Sequence, residues 1–153
     1  TTVHETAHQW WYGVVGNDQI DEAWLDEGFA TYSEVVFVES EYGERIGRRY
    51  IESIESGVEQ AVSSRVLSGI IKRPLSEYRN WEDYGPAVYN GGAVLLNELR
   101  KQVGNEVFFN ILKTYYNEYA FKIATTEDFI NVCEKIGNNE FDSFFDKHLT
   151  MEQ

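Results

Sequence analysis

Apolar positions recur at helical spacing over most of this chain. The run "DEGFATYSEVVFVESEYG" reads as one helix stopped at Gly43, and Ile46, Tyr50, Ile54, Val58, Ala61 and Val62 form the apolar stripe of the next. After Pro86, "AVYNGGAVLLNELRKQVG" predicts a helix ending at Gly104, and "NEVFFNILKTYYNEY" predicts another. "AFKIA" is a short extended link, and "TTEDFINVCEKIG" is a helix whose Thr125 and Asp128 fit a capping pattern. The last helix, "NEFDSFFDKHL", is amphipathic through Phe141, Phe144, Phe145 and Leu149. Strand patterning is nearly absent, so the expectation is a mainly α fold: a multi-helix bundle with little or no sheet.

Two features interrupt the pattern. Gly91 and Gly92 lie inside a helical run, where each costs about 1 kcal/mol against Ala, so something other than propensity is expected to keep them. Pro74 and Pro86 bracket the only stretch without clear periodicity. No repeat, low-complexity tract or Pro/Gly/Ser linker divides the sequence, which therefore reads as one domain over residues 1–153.

Composition narrows the function classes. The 153 residues are 42% hydrophobic and 15% aromatic, enough for a core. No run approaches the roughly 18 apolar residues of a membrane span, and the start lacks a signal-peptide pattern. Location stays open, with a slight preference for the cytoplasm. Twenty-six acidic residues against 13 basic ones give a net charge of −13, which argues against nucleic acid and allows attraction of cations or basic substrates. The lone Cys133 excludes an internal disulfide framework and sits at an apolar helical position, as a small buried residue would.

The chemistry concentrates in "TVHETAHQWW". Residues four apart are offset by about 40° around a helix, so His4 and His8 project from nearly one face and can grip a single metal ion. Glu5 stands about 100° round from His4, placed to take a proton from water near the metal rather than to act as a ligand. A catalytic zinc usually has three protein ligands and keeps a fourth position open. Glu27 in "WLDEGFATY", with eighteen residues between it and His8 and at the head of a second helix, is the candidate third ligand. Taken alone, two histidines on a helix are equally a packed or solvated pair, and an acid in a first helical turn also complements the helix dipole.

Together "HETAHQWW" and "WLDEGFATY" resemble the gluzincin zinc aminopeptidases, the aminopeptidase N-like family, with Asp26 where Asn is common. "VYNGGAVLL" is similar to the family's Tyr-x-Lys-Gly segment, and "TTEDF" with "FDSFFDKHL" to the end of its catalytic domain, so the likeness covers nearly the whole chain. It implies the helical subdomain of a thermolysin-like fold. One catalytic zinc ion is implied on His4, His8 and Glu27, with Glu5 as general base and Tyr89 as the hydroxyl that stabilises an oxyanion. The implied reaction is hydrolysis of a peptide substrate by metal-activated water, at a free amino terminus. Tyr84 is the rival to Tyr89. Gly91, where the family often has Lys, leaves the contacts around it open. Glu34, two helical turns beyond Glu27, resembles a family acid that orients a ligand histidine or its partner; a solvated acid is the equal alternative.

The family also has a sheet-bearing half with a Gly-x-Met-Glu-Asn strand that recognises the substrate's amino terminus, and this sequence has no such string. The chain therefore reads as the C-terminal, helical part of a peptidase catalytic domain whose N-terminal part is its missing partner. By itself it is expected to bind zinc more weakly than the parent and to be nearly inactive. The rival readings are a zinc endopeptidase and a non-catalytic binding or structural module that keeps the scaffold.

Overall fold

The computed structural model describes residues 1–66 and 68–150. Helix α1 (Thr2–Ala7) is followed by strand β1 (Val15–Asn17) and two long helices, α2 (Trp24–Tyr42) and α3 (Glu44–Ser63). An irregular stretch holding a 3-10 turn at Leu75–Glu77 leads to α4 (Trp81–Gly85), a π-helical turn (Pro86–Gly91) and α5 (Gly92–Val103). Helix α6 (Asn105–Tyr119), strand β2 (Lys122–Ala124), α7 (Thr126–Gly137) and α8 (Asp142–Thr150) complete the chain. The fold is mainly α, as the periodicity predicts.

Single glycines end two helices and begin the next. Gly43, with φ of 88°, separates α2 from α3, and Gly104, with φ of 83°, separates α5 from α6. At those angles a Cβ is strained, so both stop signals have a backbone cause. The capping pattern of α7 is present in full: Thr125 accepts from the Asp128 amide while the Asp128 carboxylate accepts from the Thr125 amide.

Three boundaries differ from the sequence reading. The "AFKIA" link is half of a two-stranded parallel sheet, β2 pairing with β1 in the register Val15↔Lys122, Gly16↔Ile123 and Asn17↔Ala124. Three-residue strands leave too little alternation to recognise. Helical structure begins at Trp81 rather than after Pro86, because the Asn80 side chain caps α4 and the proline is absorbed at the start of the π-helical turn. Helix α1 stops at Ala7 with His8 as its last helically disposed residue, and the His8 amide still reaches the His4 carbonyl at 3.3 Å.

The core is an aromatic cluster. Phe29, Tyr115, Phe129 and Phe145 are buried, with the Phe29 and Tyr115 rings 5.7 Å apart and each 5.0 Å from Phe129. Trp24 is wholly buried, and its indole N–H donates to the Thr126 hydroxyl at 2.9 Å, tying α2 to α7. Cys133 is buried there, and burial pushes its thiol well up, so it serves as a small apolar residue. On α3 the buried face is Gly47, Ile51 and Val58, with Tyr50 and Ile54 at its margin.

The glycine pair in the α5 region is explained by two contacts. A Cβ on Gly92 would lie 2.8 Å from the Gly28 Cα, and one on Gly91 would lie 3.1 Å from Ile71 Cγ1. Helix α2 thus crosses the chain at Gly92 backbone to backbone, within one residue of Glu27 and one helical turn of Tyr89.

Candidate active site

Two elements bring the histidines and the acid together. Helix α1 presents His4 and His8, and the first turn of α2 presents Glu27. His4 Nε2 lies 3.0 Å from Glu27 Oε2, and His8 Nε2 lies 3.2 Å from the same oxygen and 3.2 Å from His4 Nε2. A single cation can take all three facing atoms as ligands. Ligand atoms around a tetrahedral metal with bonds of about 2.0–2.1 Å stand roughly 3.3 Å apart, so the triangle of donors fits such an ion. It is the only cluster of three or more His, Cys, Asp or Glu side chains of that kind among the described residues.

The outer nitrogens of both rings are engaged. His8 Nδ1 donates to the Trp11 carbonyl at 3.2 Å, and His4 Nδ1 is 3.4 Å from the Thr31 hydroxyl. Partners at Nδ1 fix ring orientation and leave the Nε2 lone pairs for a metal. The Trp11 indole donates to Ser33 on α2 at 3.1 Å, which holds the loop carrying that carbonyl.

The electrostatics follow from this packing. Hydrogen bonding to Glu27 raises the His4 pKa despite burial, helped by the charges of Glu27, Glu34 and Glu5. Burial alone would raise the Glu27 pKa, but His4, Tyr89 and His8 outweigh it and hold the carboxyl below its usual range. Asp26 is fully buried, which pushes its carboxyl up; it accepts from Asn17 Nδ2 at 3.0 Å and Gln19 Nε2 at 2.6 Å. Those two amides accommodate the acid where the family commonly has Asn.

Tyr89 comes from the π-helical turn and stacks on His4, with ring centroids 5.5 Å apart and planes 6° from parallel. Burial and the neighbouring Glu27 carboxylate push its phenol far up, so it stays protonated at any working pH. Tyr84 stands behind it, packed on Tyr78, Trp81 and Tyr89, with its phenol pushed up to about 12 by burial and by the Glu27 and Asp26 charges. A cleft of about 420 Å³ is lined by His4, Glu5, His8, Glu27, Thr31 and Tyr89, among others, and Tyr84 does not line it. Glu5 is exposed on its rim.

Glu34 also lines the cleft but does not touch either histidine. It accepts from the Tyr50 hydroxyl at 2.8 Å and from the Thr1 amino group at 3.3 Å. The side chain that does reach one of the two histidines is Thr31, one turn after Glu27. The spacing of four from Glu27 could have singled it out, but the Trp11 carbonyl, a backbone group, carries no such signal.

A helical scaffold aims two imidazoles and a carboxylate at one point, with a protonated phenol beside them, and makes a candidate metal site. Comparison with known proteins gives the family. Residues 1–148 match the Peptidase family M1 domain, and the chain belongs to that family. It is 30% identical over 138 residues to Aminopeptidase M1-C of Oryza sativa subsp. japonica, covering 89% of this chain and 16% of that protein. Against Endoplasmic reticulum aminopeptidase 1 of Homo sapiens the identity is 28% over 153 residues, covering 94% and 16%. The chain thus spans about a sixth of the length of these relatives. A mutant M1 zinc metallopeptidase from Deinococcus radiodurans, solved with a Tyr-Ser-Ala substrate, shares the fold with a TM-score of 0.79 at 24% identity, over 97% of this chain and 32% of that one.

Proposed function

We propose that this chain is the metal-binding, helical part of the catalytic domain of a zinc aminopeptidase. The observation that carries the reading is the triangle of His4, His8 and Glu27 donor atoms at 3.0–3.2 Å, with both histidines oriented from behind. These three side chains would hold the ion. Bound zinc would supply Lewis acidity, worth several kcal/mol of charge stabilisation at a carbonyl oxygen.

The chain's own residues do the rest. Glu5, exposed on the rim, accepts the proton of the attacking water and passes it to the leaving amine. Tyr89, held protonated, donates its O–H to the oxygen on which negative charge develops. Glu27 sits at the head of α2 and keeps its negative charge for the metal. The substrate class is a peptide with a free amino terminus, a reading supported by the aminopeptidase names of the relatives. The remaining walls of the cleft would come from the N-terminal part of the same polypeptide.

Glu5→Gln in the full-length polypeptide tests this. The variant keeps zinc and loses hydrolysis of a chromogenic aminoacyl amide by about 10²–10⁴-fold, the usual size of a general-base contribution. Activity within a few-fold of wild type removes Glu5 from the role.

A further inference from the structure

The irregular stretch of residues 68–80 is a strap that runs behind the π-helical turn, and one carboxylate fastens it. Asp83 has no exposed surface. It accepts from Arg73 Nη2 at 2.6 Å, the Ser68 amide at 3.0 Å, and the Nε and amide of Arg79 at 3.1 and 3.3 Å. Four donors on one buried carboxylate fix it in place, because losing any of them leaves a desolvated charge short of partners.

From this anchor a continuous series of contacts reaches the metal-ligand triangle. The Arg73 guanidinium lies 4.0 Å over the Tyr78 ring, and the Tyr78 hydroxyl donates to the Ile71 carbonyl at 2.7 Å. Ile71 packs where a side chain at Gly91 would stand. Tyr78 meets Tyr84 edge-on at 5.1 Å, Tyr84 meets Tyr89 at 6.1 Å, and Tyr89 stacks on His4. The far end of the strap is tied as well, since the Ile71 amide donates to the Leu149 carbonyl of α8 at 2.9 Å.

We propose that Asp83 is a positioning residue: by clamping Arg73 and Arg79 it presses the strap of residues 68–80 against the π-helical turn and sets where the Tyr89 hydroxyl points. A π-helical turn is intrinsically a poor backbone state, and here neither Gly91 nor Gly92 has a side chain to hold it. The strap supplies that restraint from outside, with Ile71 standing where the family's Lys would emerge. The proposal rests on the reading of Tyr89 as an oxyanion donor for its kinetic consequence, but the restraint on the turn is separate from it.

The experiment has two arms on the full-length polypeptide, comparing Asp83→Asn with Glu82→Gln, which removes an exposed neighbouring charge. By amide hydrogen exchange, Asp83→Asn speeds exchange in residues 86–92 by about tenfold or more beyond any change in α7, and Glu82→Gln changes neither. By kinetics, Asp83→Asn lowers kcat about tenfold with KM within about twofold, and adds less than about twofold in a Tyr89→Phe background. Should Asp83→Asn fail to fold, Tyr78→Phe, which loses only the hydroxyl's bonds to the Ile71 and Ile70 carbonyls, shows the same pattern at smaller size. Unchanged exchange in residues 86–92, or full additivity with Tyr89→Phe, overturns the proposal. A wild-type polypeptide without peptidase activity overturns the functional reading instead, and the exchange arm still decides the role of Asp83.

Discussion

Gly28 and Gly92 meet backbone to backbone: a Cβ on Gly28 would stand 2.9 Å from the Gly92 Cα, and one on Gly92 would stand 2.8 Å from the Gly28 Cα. Because Glu27 precedes one and Tyr89 lies a turn before the other, this crossing sets the spacing of the candidate metal ligand and the candidate oxyanion donor.

Gly92→Ala must therefore push α2 and α5 apart. The expected cost is about 1–3 kcal/mol, the usual range for overpacking, measured by urea denaturation, together with weaker zinc binding. Gly91→Ala meets only the Ile71 side chain, which can shift, and is expected to be milder. Equal stability of Gly92→Ala and wild type would show that the crossing is not tight.

In the full-length polypeptide, Tyr89→Phe is expected to lower turnover about 10²–10³-fold, the size of one lost oxyanion donor, with little change in folding. Tyr84→Phe is expected to stay within a few-fold of wild type, since that ring packs behind Tyr89 and does not line the cleft. A reversed order in steady-state assays would assign the donor to Tyr84.

Thr31→Val removes the hydroxyl beside His4 Nδ1 at nearly constant volume. Loss of such an orienting partner typically weakens metal affinity about 10–100-fold, and a competition titration with a chromogenic chelator reads it directly. An unchanged affinity would mean that packing against Tyr89 alone holds the imidazole.

The Asp83 clamp predicts an acid limb in stability. Burial would raise this carboxyl, but Arg79, the Ser68 and Arg79 amides, and Arg73 together hold it well below the usual range. A depressed folded-state pKa contributes stability that is complete above the unfolded value of about 3.9 and is lost as pH falls towards the folded value. Wild type should lose stability steeply below pH about 4. Asp83→Asn should start about 3–5 kcal/mol lower at neutral pH, the cost of breaking a buried ion pair, and fall less steeply in acid. Parallel stability curves for the two proteins would remove Asp83 as the source.

Much of this site was legible because helical periodicity converts spacing into direction. His4 and His8 share a face by their separation of four, and Gly43 and Gly104 mark helix ends that the backbone angles require. The Gly91–Gly92 pair announced an unusual constraint without revealing it, since the Gly28 contact is made across 64 residues of chain. The β1–β2 pairing was hidden for a similar reason: three-residue strands carry no period, and their partnership is long-range. Glu34 shows the limit of the helical argument. It occupies the expected face two turns from Glu27, yet its carboxylate is taken by Tyr50 of α3.

The central claim is that His4, His8 and Glu27 form one zinc site, and metal content tests it most directly. The full-length polypeptide, purified with zinc and dialysed against metal-free buffer, should retain about one zinc per chain, as a three-ligand site requires. The His4→Ala, His8→Ala double variant should retain almost none while keeping the helical circular dichroism of wild type. Equal zinc in the two proteins would contradict the assignment.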